Sequence, residues 1–549
     1  MVIVNNFFFF KLYFLFTVIL SISSRIIQKD SKFYDENGRH RIFHGVNIVY
    51  KTFPYIPSND TFDPFLSFNN QDIAYMKKFG FNLVRLGVMW ESIETSPSVY
   101  NYDLLNKYEN LVNLLGENGI YTIIDSHQDL ISRKFCGEGF PLFIVENSNY
   151  ENNCQGSLFK RFLNMIGVCK SFKEYNIRED INGLPLIEDC LKTLFSLFNA
   201  TPEVTSFIKK FFENENGILD KYIDFWKILA NKFKNNKYVL GYDLWNEPFP
   251  GGLYDNPFQK IQPGYCDQNQ LLPLYRKIDE SLRKIDNDYI MMFEPNIFPD
   301  TLPLLFWRFR GTFTDLPIQD KGKQMYNYHS YCCSSSISMC SKGEPPLESA
   351  KECKAYHIEN VNEANKYTSK HGIGSIITEF GACFNTESCY NEISSLSDAA
   401  DQYLTSWAYW MYKPFNDFTT SCIDNQEGLF DADGSLQEFK VKGLTRTYVQ
   451  AFQGEGIYMN FNKETKNFQT KFKLNKTLDS PTVIYFNKEL NYRNGYNILT
   501  SRKSFIDDSE ENLLKIKIID EDSSQNEEIT ILLINTTEEE KIKEKINLK

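Results

Sequence analysis

The sequence has no CxxC pair with zinc spacing, no GxGxxG, and no run of basic residues before a mixed-charge C-terminal tail. The first absence argues against a structural zinc site, and the second removes the usual signal for a nucleotide. The third, with a net charge of −12, argues against a nucleic-acid partner. Beyond the N-terminus no apolar run is long enough to cross a bilayer. The region after Gly454 lacks Cys, His and Trp, so it is expected to be structural rather than chemical. Aromatics are abundant: 46 Phe and 32 Tyr help bring them to 15% of 549 residues. Such a composition fits a large core and sites that stack on flat apolar faces. The length allows two or more domains, or one large barrel that takes most of the chain.

The chain begins MVIVNNFFFFKLYFLFTVILSISS, with a mostly apolar stretch from Phe7 to Leu20 followed by the small residues Ser21 and Ser23. This pattern predicts a secretory signal over residues 1–24, although Lys11 inside the stretch leaves an uncleaved anchor as the alternative. Four glycosylation sequons, at Asn59, Asn199, Asn475 and Asn535, agree with export. So do twelve cysteines, all between Cys136 and Cys422, which read as disulfides rather than metal ligands. YCCSSSISMC (Cys332, Cys333, Cys340) and CFNTESC (Cys383, Cys389) look like stapled loops.

Eight short apolar segments recur: 41–50, 82–90, 120–129, 238–248, 289–296, 324–331, 374–381 and 406–412. Amphipathic stretches such as NQDIAYMKKFG lie between them and end at Gly, a common helix stop. The alternation predicts an α/β fold, a parallel (β/α)8 TIM barrel over residues 28–445. The third and fourth segments are too far apart for one helix, so an insertion is expected at about 136–213, walling or capping the C-terminal face. Short alternating strands from 455 to 540 predict an antiparallel β-sandwich domain, followed by a solvated tail at 541–549. FPDTLPLLFWRFRGTF (298–313) reads either as an apolar lip or as a core helix.

Polar residues at the C-terminal ends of barrel strands share one pocket. The predicted ends carry Arg85 on the second strand, Asp125, His127 and Asp129 on the third, and Asn246 and Glu247 on the fourth. His329 and Tyr331 end the sixth, Glu379 the seventh, and Trp410 lies on the eighth. Strands four and seven stand on nearly opposite sides of the ring, so Glu247 and Glu379 could face each other across a sugar. A retaining glycosidase needs two carboxyl groups roughly 5–5.5 Å apart.

These motifs, LWNEP and ITEFG with the strand pattern, resemble those of glycoside hydrolase family 5 over roughly residues 30 to 440. The resemblance implies a nucleophile at Glu379, an acid/base at Glu247, and a substrate-binding set of Arg85, His127, Asn246, His329, Tyr331 and Trp410. Asp129 and Lys51 join as candidates for binding sugar hydroxyls. Within the family, DSHQDLISRKFCGEGFP (125–141), HGVNIVYKTFPY (44–55) and LWNEPFPGG are similar to the endoglycoceramidases. That likeness implies cleavage between an oligosaccharide and ceramide, with a glycosphingolipid as partner, a membrane or micelle surface nearby, and no metal or cofactor. A monomer is expected, secreted or delivered to the lysosomal lumen. A glucosylceramide or steryl-glucoside β-glucosidase, a cellulase-like enzyme and an inactive glycolipid-binding protein are the competing readings.

Overall fold

The computed structural model describes residues 25–536 apart from 156–157, 261, 263, 298–312, 336–339, 341–342, 421 and 423–425. The leader at 1–24, the 298–313 lip except Phe313, and the tail at 541–549 therefore lie outside the described residues.

Eight parallel strands close a barrel in chain order: β1 (His44–Ile48), β2 (Leu83–Val88), β3 (Tyr121–Ser126), β4 (Val239–Asp243), β5 (Met291–Phe293), β6 (Gln324–Ser330), β7 (Gly374–Phe380) and β8 (Ser406–Tyr409). Strands β1 and β2 are buried at every position, as a sheet covered on both faces requires. The helix Asn70–Phe79 shows how the sequence sets the connections. Asn69 and Asp72 cap its start reciprocally, and Gly80 ends it at φ +82°. A Cβ on Gly80 would lie 2.4 Å from the Tyr485 ring, so glycine serves both the turn and the contact beneath it.

Tyr485 belongs to the second unit, two antiparallel sheets packed as a sandwich. One is a four-stranded sheet made by residues 454–461, 468–474, 496–500 and 528–535. The other has seven strands, and three of them (27–29, 32–34 and 40–41) come from the N-terminal side of the barrel. Both boundaries thus differ from the sequence-based expectation. The stretch 27–41 is sandwich rather than barrel, and the sandwich already includes Tyr448–Phe452, seven residues before the expected start at 455. The strands at 27–41 are too short to show a period, which hides their membership. The sandwich meets the barrel at the N-terminal ends of its strands. His44 at the start of β1 stacks between Trp407 of β8 (4.1 Å) and Tyr448 of the sandwich (3.6 Å). The C-terminal ends of the barrel strands are therefore turned away from the sandwich.

Among the described residues five disulfides form: Cys136–Cys190, Cys154–Cys169, Cys332–Cys353, Cys333–Cys340 and Cys383–Cys389. The insertion pairs its four cysteines internally. Cys266 and Cys422 are buried thiols.

Candidate active site

Arg85 is the hub from which the site is built. Its side chain rises from β2 into the barrel and is fully buried. It donates to Glu379 (2.6 Å), Asn246 (2.8 Å) and Asp243 (2.9 Å), and lies 3.0 Å from Asp125. These carboxylates offset the cost of burying the guanidinium and keep it charged.

Glu379 ends β7. It also accepts the Tyr331 hydroxyl at 2.9 Å and lies 3.4 Å from His329 Nδ1. A β-bulge between Tyr328 and His329 shifts the β6–β7 register so that His329 stands opposite Glu379, a common use of bulges beside active sites. Gly381, just past the glutamate, has φ +98°, and a Cβ there would lie 2.2 Å from the Tyr409 ring. Burial pushes the Glu379 carboxyl up, opposed by the Arg85 guanidinium.

Glu247 follows β4 with φ +44°, a left-handed conformation that costs a non-glycine residue about 1 kcal/mol or more. Its backbone N–H is held by Glu294 Oε2 at 3.0 Å. The turn beyond it is tied by Ile297 N–H to the Pro248 carbonyl, also 3.0 Å. The side chain meets His329 Nδ1 at 2.8 Å and remains 21% exposed, so a leaving group can reach it. Burial, then the negative charge of Asp129, pushes Glu247 up to about 7. Burial lowers His329 to about 4, so the imidazole between the two glutamates is neutral near pH 7. One carboxylate oxygen each of Glu247 and Glu379 lies within 4.8 Å of the other.

The remaining candidates converge on the same cavity of about 190 Å³. His127 donates or accepts at Asp125 (2.7 Å), and its other nitrogen is 3.6 Å from Asp129. Burial works against charging His127, but Asp125 overrides it and carries it up to about 9. Asn246 uses one amide hydrogen on the Gln128 carbonyl at 3.1 Å, and its second is available for a sugar hydroxyl. Trp410 lines the cavity and stacks on His127 with ring centroids 5.3 Å apart. Lys51 donates to Asp129 (2.7 Å) and Thr419 (2.7 Å) and forms an ion pair with Asp417 (2.9 Å). It therefore fixes Asp129 instead of presenting an idle donor to a sugar. His127, Asp129 and Glu138 have cation-like spacing, but the Lys51 ammonium, 3.7 Å from Glu138, supplies the positive charge there. The insertion reaches the cavity through Leu194, Phe195, Ser196 and Asn199.

Asn199 is a correction to the sequon reading. Its side chain is 9% exposed and lines the cavity, where an attached glycan would fill the space needed by a substrate. Asn59 is exposed, and Asn475 and Asn535 are half-buried.

Four acids or hydroxyls of the site escape the strand-end reading: Glu138, Glu294, Asp417 and Thr419. Glu294 was the findable one, since YIMMFEPN closes the fifth strand with it. It holds the Glu247 backbone and lies 3.6 Å from His329, and burial keeps its carboxyl well above the ordinary range. Glu294→Leu is expected to lower kcat about ten- to a hundredfold by releasing the Glu247 turn. Glu294→Gln keeps an acceptor oxygen and should lose far less. Equal losses in the two variants would show that the acceptor is not what matters.

An eight-stranded barrel with two carboxyl groups at this separation is the apparatus of a retaining glycoside hydrolase. Burial pushes both up, Glu247 to about 7, and only Glu379 is paired directly to a guanidinium. The chain belongs to glycoside hydrolase family 5: residues 46–176 and 198–416 match its cellulase domain, and residues 446–531 match the glycoside hydrolase family 5 C-terminal domain. It is 30% identical over 476 residues to an endoglycoceramidase of Cyanea nozakii, covering 86% of each chain. An endoglycoceramidase of Hydra vulgaris is 30% identical over 470 residues, covering 84% of this chain and 80% of that one. In fold the chain is similar to endo-glycoceramidase II from Rhodococcus sp. (TM-score 0.67, 19% identity), over 92% of this chain and 99% of that one.

Proposed function

We propose that the chain is a retaining endoglycoceramidase, which cleaves the β-glycosidic bond between oligosaccharide and ceramide and releases the glycan intact. The observation that carries this reading is the division of the cavity. Lys51, His127, Asp129, Trp410 and Thr419 come from the β8–β1–β3 sector, and make one wall charged and hydrogen-bonding. Phe249, Pro295, Ile297, Cys333 and Tyr356 come from the β4–β6 side, and with Leu194 and Phe195 they supply the apolar surface of the other wall, beside the polar Ser196, Asn199 and Asn296. Glu247 stands at the apolar wall, where the acid must meet the departing lipid oxygen. The relatives named endoglycoceramidase support the same reading.

The steps follow from the geometry. Glu379, ionised beside Arg85, attacks the anomeric carbon while Glu247 gives its proton to the ceramide oxygen. Esterification removes the Glu379 charge. Glu247 then takes a proton from water, which attacks the ester and releases the sugar with its configuration retained. The Tyr331 hydroxyl, held protonated by burial, orients Glu379 throughout.

Product analysis tests the reading. A ganglioside should yield free intact oligosaccharide and ceramide. Turnover confined to glucosylceramide or a steryl glucoside would make the chain a β-glucosidase instead. With the lipid substrate, kcat/KM should fall as pH rises through about 7, where Glu247 loses the proton the leaving group needs. With an aryl glycoside whose leaving group needs no proton, that limb should flatten. A limb equally steep on both would move the acid role to another group. Five disulfides and the N-terminal apolar stretch support an oxidising lumen, either secreted or lysosomal, and a monomer bearing glycans at Asn59, Asn475 and Asn535.

A further inference from the structure

Of the 23 exposed large apolar side chains among the described residues, ten fall between Leu158 and Leu197, inside the insertion. Five lie on or just after the helix Leu158–Met165, which is inverted relative to an ordinary surface helix. Leu158, Phe162 and Met165, at i, i+4 and i+7, share one face, and that face points to solvent; Leu158 is 85% and Met165 76% exposed. Lys160, on another face, is only 5% exposed and is pinned inward by Glu151 and by Asp255 of the loop after β4. The side carrying Lys160 and Leu163 is thus the anchored one, and the Leu158–Phe162–Met165 side projects as an apolar ridge. The Cys154–Cys169 disulfide closes the loop that carries the helix.

The ridge is tied to the segment that lines the cavity. The Tyr254 hydroxyl bridges the Val168 carbonyl, just after the ridge, and the Ala200 carbonyl. Ala200 ends the 3-10 segment Phe195–Ala200, whose Phe195, Ser196 and Asn199 line the cavity. Leu194, at its start, both lines the cavity and is exposed, and Leu197 is exposed beside it. Residues 177–197, which carry this rim, fall outside the stretches that match the family. Exposed charges of both signs flank the apolar residues: Arg161, Lys173, Arg178 and Lys192 on one hand, and Glu174, Glu179, Asp180 and Glu188 on the other.

We propose that the insertion is a bilayer-docking element: the Leu158–Phe162–Met165 ridge enters the headgroup–acyl boundary and seats the cavity mouth at Leu194 on the surface that holds the substrate. The choice of a bilayer as occupant rests on the endoglycoceramidase reading, because a lipid aglycone must leave its membrane to reach Glu247. A projecting apolar ridge also suits a flat, deformable surface better than a protein pocket.

The full-length protein is sedimented with phosphatidylcholine vesicles containing phosphatidylserine and a ganglioside, beside the triple variant Leu158→Ser/Phe162→Ser/Met165→Ser. The bound fraction should correspond to a partition coefficient at least about tenfold lower in the variant. Turnover of a water-soluble aryl lactoside should stay within about twofold, since the three positions are exposed and outside the site. Equal vesicle binding by both proteins overturns the proposal. So does a parent protein that is dimeric in gel filtration and becomes monomeric in the variant, which would assign the ridge to a second copy. Should the triple variant fail to fold, Phe162→Trp replaces it. Its added fluorescence should be quenched by brominated lipid in the vesicles, and no quenching overturns docking by the ridge. The aryl lactoside separates the two readings, since vesicle binding without its hydrolysis leaves docking standing and removes the assigned function.

Discussion

Glu379→Gly should lower hydrolysis of a glycosphingolipid by at least about four orders of magnitude, because no other group is placed to form the covalent ester. Azide should restore turnover of an activated aryl lactoside. The small anion fits where the carboxylate stood and attacks from that same face, so the product should be the α-glycosyl azide. In Glu247→Ala the ester to Glu379 still forms, and azide then displaces it from the opposite face to give the β-glycosyl azide. The two stereochemical outcomes therefore assign the two roles independently, and proton NMR of the anomeric hydrogen reads them. A β-azide from Glu379→Gly would reverse the assignment. The closeness of the two carboxyl groups, within 4.8 Å, is what makes the double displacement the expected route.

Arg85→Met should be the most damaging substitution for stability. The guanidinium is buried against Asp125, Asp243 and Glu379, and methionine would leave those carboxylates without their compensating charge. Breaking a buried ion pair on one side costs about 3–5 kcal/mol, and here one cation serves three acids. A large fall in the urea midpoint is expected at pH 7. Arg85→Lys should recover part of the stability and little of the activity, because an ammonium cannot span the fork from Asp243 to Glu379. An unchanged midpoint in Arg85→Met would mean that the acids are neutral in the folded protein.

How much of this was legible in the sequence depends on distance along the chain. The eight barrel strands showed as apolar runs because both faces are buried, and Glu247 and Glu379 showed because they end such runs. The positions of Lys51 and Asp129 were visible, but their pairing was not, since Asp417 and Thr419 reach Lys51 from a loop after β8. The β6 bulge that sets His329 opposite Glu379 leaves no mark in QMYNYHSY. The insertion was visible only as an excess of length. Its inverted helix could not be seen, because an amphipathic period does not say which face the protein keeps.

The seven-stranded sheet has a consequence for how the chain is made. Arg41 Nε donates to the Gln450 carbonyl, 409 residues further on, and the strand at 40–41 pairs with Tyr448–Phe452. The strand at 40–41 therefore waits for residues 448–452, and the barrel must assemble between them. At about 5–20 residues per second of synthesis, that wait lasts about 20–80 s. Throughout it the strands at 27–41 pair with one another, but the outer edge of residues 40–41 stays open. Biogenesis of this protein should accordingly depend on chaperones that cover open strand edges, more than a barrel closed by its own termini would.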